Sequence, residues 1–396
     1  MTQHFFQSVN SSIETDIVVV GAGLVGLAAA IACAKLGKKV MVIDAKKVAI
    51  KKQQAWDARI YALTANTEAW LQALGVWAEV DTSRVNIISG MQLWDVQDNK
   101  LALQDSDANL AKLGVIIENQ NLIHALMKQI NTLGVTVITD VECTFLENSQ
   151  QHIAVGLADG RLISAKLLVA ADGVDSWVRS QANIAVKRND FNQTAIVANF
   201  LAEKNHNNIA RQWFAPHETL ALLPLPDQQV SMVWALSTEQ AAELLTLSSD
   251  ALAEKVAARS QREIGGLRML GKPLSFSLKQ QTATQLIAQR VVLVGDAAHQ
   301  IHPMAGQGMN LGLRDVRQLQ QMLTNTHAMQ DIGEQVFLRK YARARQADIA
   351  TMNTLTSGLD ILFANDNAVL QKVTGWGFKQ LNRQATLKKL LLQQAA

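Results

Sequence analysis

The sequence predicts an α/β fold in which a nucleotide-binding domain is interrupted by an inserted antiparallel sheet and followed by C-terminal helices. Near the N-terminus an apolar strand runs directly into a glycine-rich turn at Gly21. Two later apolar runs end in an acidic residue beside a glycine, at Asp172 and Asp296. Strands that end in this way and lead into helices are typical of parallel α/β sheets, which bind ligands at the carboxyl ends of their strands.

The composition is that of an ordinary globular enzyme. The 396 residues are 48% hydrophobic and 18% charged, which is enough for two domains with substantial cores. The formal net charge is only +3, and the N-terminal half contains no basic stripe interleaved with aromatic residues. These features disfavour a DNA or RNA partner.

The cysteines and the N-terminus indicate where the protein works. Cys33 and Cys143 do not form the closely spaced pair of a redox or metal motif, so we expect a reducing compartment and no metal site. Residues 1–15 lack the cationic start and apolar core of a signal peptide. No uninterrupted apolar run reaches about 18 residues. The sequence therefore predicts a cytoplasmic protein that is neither secreted nor membrane-spanning.

The N-terminal unit predicts a dinucleotide site of the Rossmann-like kind. The first strand is followed by Gly21-Ala-Gly23-Leu-Val-Gly26 and a helix of mostly small residues. Gly21 would form the tight turn, Gly23 would let backbone N–H groups approach a diphosphate, and Gly26 would let the helix pack on the strand. Asp44 ends the next strand, about 20 residues on, as a ribose-binding carboxylate requires. The pattern does not separate FAD from NAD.

Residues 290–315 narrow the function most. A buried strand ends in Gly295-Asp296, which places a carboxylate where open α/β sheets bind ligands. The glycine-rich stretch after Pro303 lets the backbone approach a ligand closely, and it leads into a helix that begins near Asn310. The free N–H groups of such a helix start can hold an anion or an electron-rich carbonyl.

Three further segments are ambiguous when taken alone. The segment around Arg59 is equally consistent with a charged helix start carrying a surface salt bridge and with a ligand contact. Residues 116–126 predict an amphipathic helix, and without a resemblance Asn119 is interpreted as its cap rather than as a cofactor ligand. Residues 167–179 predict a strand that ends in Asp172-Gly and turns into a helix.

The middle of the chain changes to antiparallel strands. Segments 211–226 and 229–236 predict two strands joined by a Pro-Asp turn. We interpret this region as the substrate domain. The candidates for the apolar wall of its pocket are Trp213, Phe214, Leu223, Pro224 and Trp234. Because alternate residues of a strand face opposite sides, about half of the candidates should belong to the core instead.

Together these motifs resemble the single-component class A flavoprotein aromatic hydroxylases, which share the p-hydroxybenzoate hydroxylase fold. The ubiquinone-biosynthesis hydroxylases, the UbiH/UbiI/UbiF/VisC group, carry patterns similar to three narrower ones here: Asp57-Ala-Arg-Ile-Tyr-Ala-Leu, Ile117-Glu-Asn-x-x-Leu and Val294-Gly-Asp-Ala-Ala-His-x-Ile-His-Pro-x-Ala-Gly-Gln-Gly-Met-Asn-Leu-Gly. The likeness runs from about Asp16 into the C-terminal helices, and the last motif is the most specific.

The resemblance implies FAD as the cofactor and assigns most of the motif residues to it. Asp172 would serve both FAD and NAD(P)H, Asp296 would hold the ribityl or diphosphate region, and residues 303–310 would line the isoalloxazine ring. The residues implied to contact FAD are Gly21, Gly23, Gly26, Asp44, Arg59, Asn119, Asp172, Gly295, Asp296, Pro303, Gly306, Gln307, Gly308, Met309 and Asn310. Two positions depart from the family pattern, Asp44 where Glu is common and Ala170 where Gly is usual, and neither removes a motif.

The resemblance also implies a discontinuous Rossmann-like FAD-binding domain of the GR2/PHBH type. We expect it over residues 1–75, 100–185 and 280–365, with a substrate-binding sheet domain over 76–99 and 186–279 and a helical tail over 366–396.

The implied activity is hydroxylation of an aromatic ring. NAD(P)H would reduce FAD, O₂ would add to give a C4a-hydroperoxide, and a polyprenylated phenol of ubiquinone biosynthesis would attack its distal oxygen. Two other functions stay open: a hydroxylase of a small soluble aromatic, and a non-catalytic flavin-binding scaffold of a quinone-synthesis complex. A homo-oligomer stays open as well.

Two remaining interpretations concern acid–base chemistry and location. His302 lies near the expected flavin ring, which makes it the candidate acid–base residue, while His299 is expected to be structural. Residues 373–392 combine apolar and basic positions at helical spacing. They predict a final helix docked on the FAD domain, and the alternative is a peripheral surface that meets a membrane or a partner complex holding a polyprenyl substrate.

Overall fold

The computed structural model describes residues 12–48, 56–301, 306–327, 330–363 and 368–395. The strands in these ranges, numbered in chain order, are β1 (Ile13–Val20), β2 (Val40–Asp44), β3 (Ile60–Thr64), β4 (Val85–Ile88), β5 (Gly90–Trp94), β6 (Lys100–Gln104), β7 (Gly114–Glu118), β8 (Thr136–Thr139), β9 (Cys143–Asn148), β10 (Ile153–Leu157), β11 (Leu162–Ala170), β12 (Val186–Ala202), β13 (Ile209–Ala215), β14 (Glu218–Pro224), β15 (Gln229–Ser237), β16 (Leu267–Ala283), β17 (Ile287–Ala288), β18 (Val291–Leu293) and β19 (His299–Gln300). The α-helices are α1 (Leu24–Ala34), α2 (Ala65–Ala73), α3 (Asn119–Thr132), α4 (Trp177–Gln181), α5 (Thr238–Leu245), α6 (Ser249–Arg259), α7 (Gly308–Thr324), α8 (Gln335–Phe363), α9 (Ala368–Arg383) and α10 (Ala385–Ala395).

The first sheet is built around the N-terminal strand. Its order is β17-β18-β11-β1-β2-β8, and the five strands from β18 to β8 run parallel. The hairpin of β9 and β10 continues from β11. Ile17, Val18 and Val19 are fully buried, as the central strand of a parallel sheet requires. Helix α1 packs on β1 and β2 and contacts α3 and α7.

The second sheet is a long, mostly antiparallel layer, and five of its strands, β12 to β16, are inserted in the chain between β11 and β18. Its order is β19-β16-β12-β15-β14-β13-β5-β6, and within it only β13 and β5 run parallel. One face packs on α5 and α6 around a core that includes Phe200, Trp213 and Val256. A third, three-stranded sheet of order β3-β7-β4 meets the second sheet where Ile116 packs with Ala210.

The predicted α/β fold class is confirmed, with two local corrections. Residues 116–118 belong to β7 rather than to the amphipathic helix, which begins at Asn119, because Ile116 and Ile117 pair with β3 and β4. The segment after Arg59 is strand β3 and not the start of a helix, since residues 60–64 pair antiparallel with β7.

Two further differences lie at the edge of the second sheet. The expected boundary between residues 99 and 100 separates β5 from β6, yet these strands pair. The C-terminal segment forms two helices, and they dock on β6 rather than on the first sheet: Phe378 and Leu392 pack with Leu101 and Leu103. Within the ranges that the structure describes, no helix combines the length and apolarity needed to cross a bilayer.

Candidate active site

The ends of four parallel strands bring the predicted site residues together. Gly21 follows β1, Asp44 ends β2, Asp172 comes after β11 and Asp296 after β18. These strands are neighbours in the order β18-β11-β1-β2 and run in the same direction. Their carboxyl ends therefore meet at one edge of the sheet, where open α/β folds bind ligands.

The three glycines of the N-terminal turn have different surroundings. Gly21 has φ of +109°, and a Cβ there would lie 2.3 Å from the carbonyl oxygen of Ala171. A Cβ at Gly26 would lie 1.9 Å from the carbonyl oxygen of Gly21. At Gly23 a Cβ would meet nothing within 4 Å. Gly21 and Gly26 are thus required by packing, whereas Gly23 faces open space that a ligand can occupy.

The start of α1 is suited to an anion. Gly23 is the N-cap, it makes no side-chain cap hydrogen bond, and the first turn of α1 contains no acidic residue. The Asp44 carboxylate accepts hydrogen bonds from the backbone N–H of Ala22 at 2.6 Å and of Lys46 at 2.7 Å. Asp44 thus ties the glycine turn to the end of β2, beside the helix dipole that favours phosphate.

Asp172 has one satisfied and one unsatisfied oxygen. Its Oδ2 accepts a hydrogen bond from Val178 N at 3.0 Å, while its Oδ1 is buried without a partner among the described residues. Burial raises the pKa of this carboxyl. A buried oxygen of this kind calls for an external donor, and a hydroxyl group of a bound cofactor supplies one.

Asp296 lies beyond β18 on the short helical turn Gly295–Ala297, with its side chain open to solvent. Gly295 has φ of +58° and lies against Val25 of α1, so the turn sits directly beside the N-terminal glycine unit.

A buried ionic network holds this turn in place. Asp315 of α7 is fully buried, and its Oδ2 accepts hydrogen bonds from Gly295 N at 2.8 Å and from His299 Nε2 at 2.7 Å. Its Oδ1 accepts from Arg345 Nε of α8 at 2.7 Å. Burial alone would raise the pKa of Asp315, but His299 and Arg345 outweigh it and lower the pKa. His299 thus hydrogen-bonds to a residue of α7 and not within its own loop.

The start of α7 faces the same edge. Gly306 has φ of +59°, Gln307 is the N-cap, and both line a cavity described below, while Gly308 and Met309 are half-buried in the first turn. Asn310 is buried and joins α7 to β3: it accepts from Thr64 N at 3.0 Å and donates to Ala62 O at 2.8 Å. His302 and Pro303 lie outside the described residues.

Asn119 and Arg59 differ in their surroundings. Asn119 is not a cap, because the N-cap of α3 is Glu118; its Oδ1 accepts a hydrogen bond from Tyr61 Oη at 3.3 Å. Burial raises the pKa of Tyr61 to about 12, so this phenol stays a donor. Arg59 is exposed, with its guanidinium 5.4 Å from the ring centroid of Phe276.

The loop that carries Arg59 is fixed by a buried ion pair. Glu118 is fully buried and accepts from Arg84 Nε at 2.7 Å and from the backbone N–H of Asp57 at 2.6 Å. The ion pair found near Arg59 is therefore the buried pair of Arg84 and Glu118, and not the surface salt bridge that was one of the two interpretations of the sequence. In the sequence, only the motif Ile117-Glu-Asn-x-x-Leu points to Glu118, because its partner Arg84 lies in a different segment.

A cavity opens between the second sheet, the third sheet and the start of α7. Its volume is about 170 Å³, and no charged side chain lines it among the described residues. The lining residues are Ala62, Leu63, Thr64, Ile88, Met91, Leu113, Gly114, Ala210, Gln212, Thr219, Ala221, Leu223, Val233, Ala235, Gly306, Gln307 and Leu392.

Of the five candidates for the pocket wall, only Leu223 lines this cavity. Phe214 stacks on Phe363 with ring centroids 4.1 Å apart, and Pro224 is buried. Trp213 and Trp234 point to the opposite face of the sheet and belong to its core, which corrects their expected role. Trp213 stacks on Trp94 with ring centroids 4.7 Å apart, and the Trp234 indole donates to Glu218 Oε1 at 2.9 Å. Successive side chains of a strand point to opposite faces of the sheet. Gln212 and Val233, which precede the two tryptophans in the chain, therefore line the cavity.

The donors, acceptors and glycines at this edge fit FAD: an open glycine turn and helix start for the diphosphate, and an orphaned buried carboxylate oxygen for a hydroxyl. Gly306 and Gln307, at the start of α7, also line the apolar cavity, so the cavity adjoins the cofactor edge. The fold and the site are those of an FAD-dependent enzyme.

Comparison with known proteins gives the family. Residues 14–355 match the family model described as FAD binding domain. Ubiquinone hydroxylase UbiL of Rhodospirillum rubrum is 31% identical over 382 residues, which cover 96% of this chain and 89% of the relative. The 3-demethoxyubiquinol 3-hydroxylase of Escherichia coli is 30% identical over 387 residues, covering 96% and 98%. This chain belongs to the ubiquinone-biosynthesis FAD hydroxylases.

A solved structure supports the fold. Crystalline p-nitrophenol 4-monooxygenase PnpA from Pseudomonas putida is similar with a TM-score of 0.79 at 16% sequence identity, covering 97% of this chain and 98% of PnpA. The likeness therefore extends over both large sheets and is one of architecture.

Proposed function

We propose that this enzyme hydroxylates the aromatic ring of a polyprenylated phenol in ubiquinone biosynthesis, with FAD as cofactor and NAD(P)H and O₂ as co-substrates. The observation that carries the proposal is the cavity, which runs from the start of α7 to Leu392 of α10 and has an apolar, uncharged lining among the described residues. A hydrocarbon chain gains free energy in such a lining by leaving water.

The site residues have separate tasks in this proposal. The turn at Gly23 and the start of α1 hold the diphosphate, Asp44 the ribose, and Asp172 Oδ1 accepts a hydroxyl. When bound, FAD accepts electrons from NAD(P)H and activates O₂ for insertion into the ring. Among the described lining residues, Gln212 and Thr219 offer polar groups that orient the phenol, while the apolar walls exclude water.

A small soluble aromatic acid suits the cavity less well. Its carboxylate would need a cation or several donors, and the described lining contains no Lys, Arg or His. A flavin-binding scaffold would not require a cavity that leads away from the cofactor edge. Both alternatives therefore explain less of the site than a neutral, prenylated substrate does.

The proposal includes a location and partners. A polyprenylated phenol resides in the lipid bilayer, so the enzyme would work as a cytoplasmic protein at the inner face of the membrane. Association with other quinone-synthesis proteins follows the same logic, because a complex would pass such a substrate on without releasing it. Co-purification from membranes tests that part.

The function is tested by complementation and by assay of the purified enzyme. Bacterial strains that each lack one quinone hydroxylase should regain ubiquinone in at least one case, measured by mass spectrometry. Ala221→Trp fills the cavity and should abolish rescue while flavin content stays unchanged. Ala258→Trp, on the exposed face of α6, is the matched control and should rescue fully.

The same enzyme assay separates the alternatives. NADPH oxidation and product formation should be stimulated by a farnesylated phenol and not by p-hydroxybenzoate. Stimulation by the soluble acid alone would support the catabolic alternative. A yellow, folded protein with no stimulated turnover by either compound would support the scaffold.

A further inference from the structure

The C-terminal helices concentrate the positive charge of the chain. Residues 368–396 contain five Lys or Arg residues and no Asp or Glu, whereas the whole chain has a net charge of only +3. The rest of the molecule is therefore slightly negative. An excess of this kind on one short segment produces a local positive field.

Helix α9 displays these charges together with apolar side chains on one face. Lys372, Trp376, Lys379 and Arg383 follow one another at intervals of four, three and four residues, so they form a single exposed stripe. Trp376 is 64% exposed, and Val373 beside the stripe is 51% exposed. The opposite face of α9 is anchored to the protein, so the stripe is held facing outward.

Helix α10 also exposes apolar side chains on its outer face, while its inner face contributes to the cavity wall. Leu387 and Leu390 are exposed, at 39% and 51%. Leu392 is 5% exposed and lines the substrate cavity. Lys388 is engaged with Asp107 at 3.6 Å, which fixes α10 to the edge of the second sheet. One helix therefore separates the exposed apolar surface from the far end of the cavity.

We propose that the exposed faces of α9 and α10, defined by Lys372, Val373, Trp376, Lys379, Arg383, Leu387 and Leu390, dock the enzyme on an anionic lipid bilayer, with the prenyl chain reaching the cavity past Leu392. The route of the prenyl chain rests on the proposed function; the docking surface rests on its own residues. Lipid is the occupant that fits both observations: Lys and Arg are attracted to anionic headgroups, and Trp prefers the interface.

The depth of contact follows from the helix dimensions. A helix is about 10 Å across, and an amphipathic helix lying in the interface buries its apolar side by about 5–10 Å. A bilayer in contact with Leu387 and Leu390 therefore comes within one helix diameter of the cavity wall at Leu392. The substrate need not leave the lipid phase completely before its ring enters the cavity.

Vesicle sedimentation of the full-length, FAD-loaded enzyme tests the docking surface without any turnover. The enzyme should sediment with phosphatidylcholine vesicles that contain phosphatidylglycerol and far less with phosphatidylcholine alone. Replacing Lys372, Lys379 and Arg383 by Gln should weaken binding about fivefold for each charge, and on the order of a hundredfold together. Trp376→Ser should weaken binding to the same vesicles about tenfold.

Matched variants on another helix provide the control. Arg339→Gln, Lys340→Gln and Arg343→Gln remove three exposed cations from α8, and this triple variant should bind like the wild type. Equal binding of the α9 triple variant and the wild type, or no preference for anionic vesicles, would overturn the proposal. So would loss of a dimer, rather than of vesicle binding, in Trp376→Ser, since that would assign the face to a second copy.

Hydroxylation assays with two phenols test the docking surface separately from the proposed function. Hydroxylation of a water-soluble short-chain phenol should be unchanged in the α9 triple variant, while hydroxylation of a long-chain phenol presented in anionic vesicles should fall with binding. Vesicle binding without hydroxylation of either phenol would contradict the function and leave the docking surface supported.

Discussion

Asp315 is fully buried, yet much of the cofactor edge depends on it. It connects the Gly295 turn, His299 and Arg345, and so joins α7 and α8 to the end of β18. A buried carboxylate is stable only when donors surround it, and here three of them do. Charge pairing in the core therefore fixes the geometry of the turn that carries Asp296.

Replacing Asp315 by Asn should destabilise the enzyme by about 3 kcal/mol, because Arg345 would lose its buried partner and keep only the partly exposed Asp348. Denaturant unfolding measures this, and FAD affinity should fall with it. Asp348→Asn, which alters a half-exposed partner of the same Arg345, is the control and should cost about 1 kcal/mol or less. Equal effects of the two substitutions would contradict the role of Asp315.

The same residue gives a pH dependence. The pKa of Asp315 is lower in the folded protein than its ordinary value of 3.8, so its contribution to stability is complete above that value. The contribution is lost as the pH falls through the lower folded pKa. The wild type should therefore lose more stability than Asp315→Asn when both are acidified below about pH 4, as followed by thermal unfolding.

The pKa of Asp172 shifts in the opposite direction to that of Asp315. Burial raises its pKa, so its ionised form costs stability at neutral pH. Asp172→Asn should stabilise the apoprotein by about 1 kcal/mol and weaken FAD binding tenfold or more, because the acceptor at Oδ1 is weakened. Thermal unfolding and flavin fluorescence titration measure the two effects. Asp175→Asn, on the exposed side of the same turn, should change neither.

At the scale of elements, two glycines at the start of α1 have different roles: Gly26 is required for packing, and Gly23 leaves space for the ligand. Gly26→Ala would place a methyl group 1.9 Å from a backbone oxygen, so folded protein should not be recovered. Gly23→Ala meets nothing within 4 Å and has ordinary φ of −73°, so the protein should fold normally and lose FAD affinity. Circular dichroism and flavin content distinguish them. Normal flavin content in Gly23→Ala would contradict the assignment of the diphosphate to this turn.

Strand alternation has the same decisive role in the second sheet. In β13, β14 and β15 one set of residues forms the core under α5 and α6, and the other set forms the cavity wall. The bulky aromatic side chains went to the core and the small Ala221 and Ala235 to the cavity. Space for a substrate is thus created by small residues on the exposed face of a well-packed sheet.

At the scale of the whole molecule, burial also determines which groups stay inert. Burial raises the pKa of Cys33 and of Cys143 from 9.0 to about 12, so the thiolate is about a thousandfold scarcer than in a free thiol. Neither cysteine should react with iodoacetamide at neutral pH in the native enzyme, and both should react in guanidinium, as mass spectrometry will show. Rapid labelling of Cys143 in the native enzyme would contradict the raised pKa of its thiol.

The sequence by itself determined the α/β class, the glycine turn, the acidic ends of three strands and the family resemblance. These depend on short segments, in which spacing along the chain fixes spacing in space. It could not decide that β6 pairs with β5, or that the C-terminal helices dock on that edge, because such pairings join segments far apart in the chain. It could not choose between the faces of β13 to β15 either, since both faces are apolar.

Only the tertiary structure therefore placed Leu223 in the cavity and Trp213 and Trp234 in the core, and it alone brought Asp315, His299 and Arg345 into one network. Local patterns record which residues a strand or turn needs, whereas a cavity and a buried ionic cluster arise from the packing of several elements at once. The physical reason is that burial and charge pairing are properties of the assembled fold, and no single segment contains them.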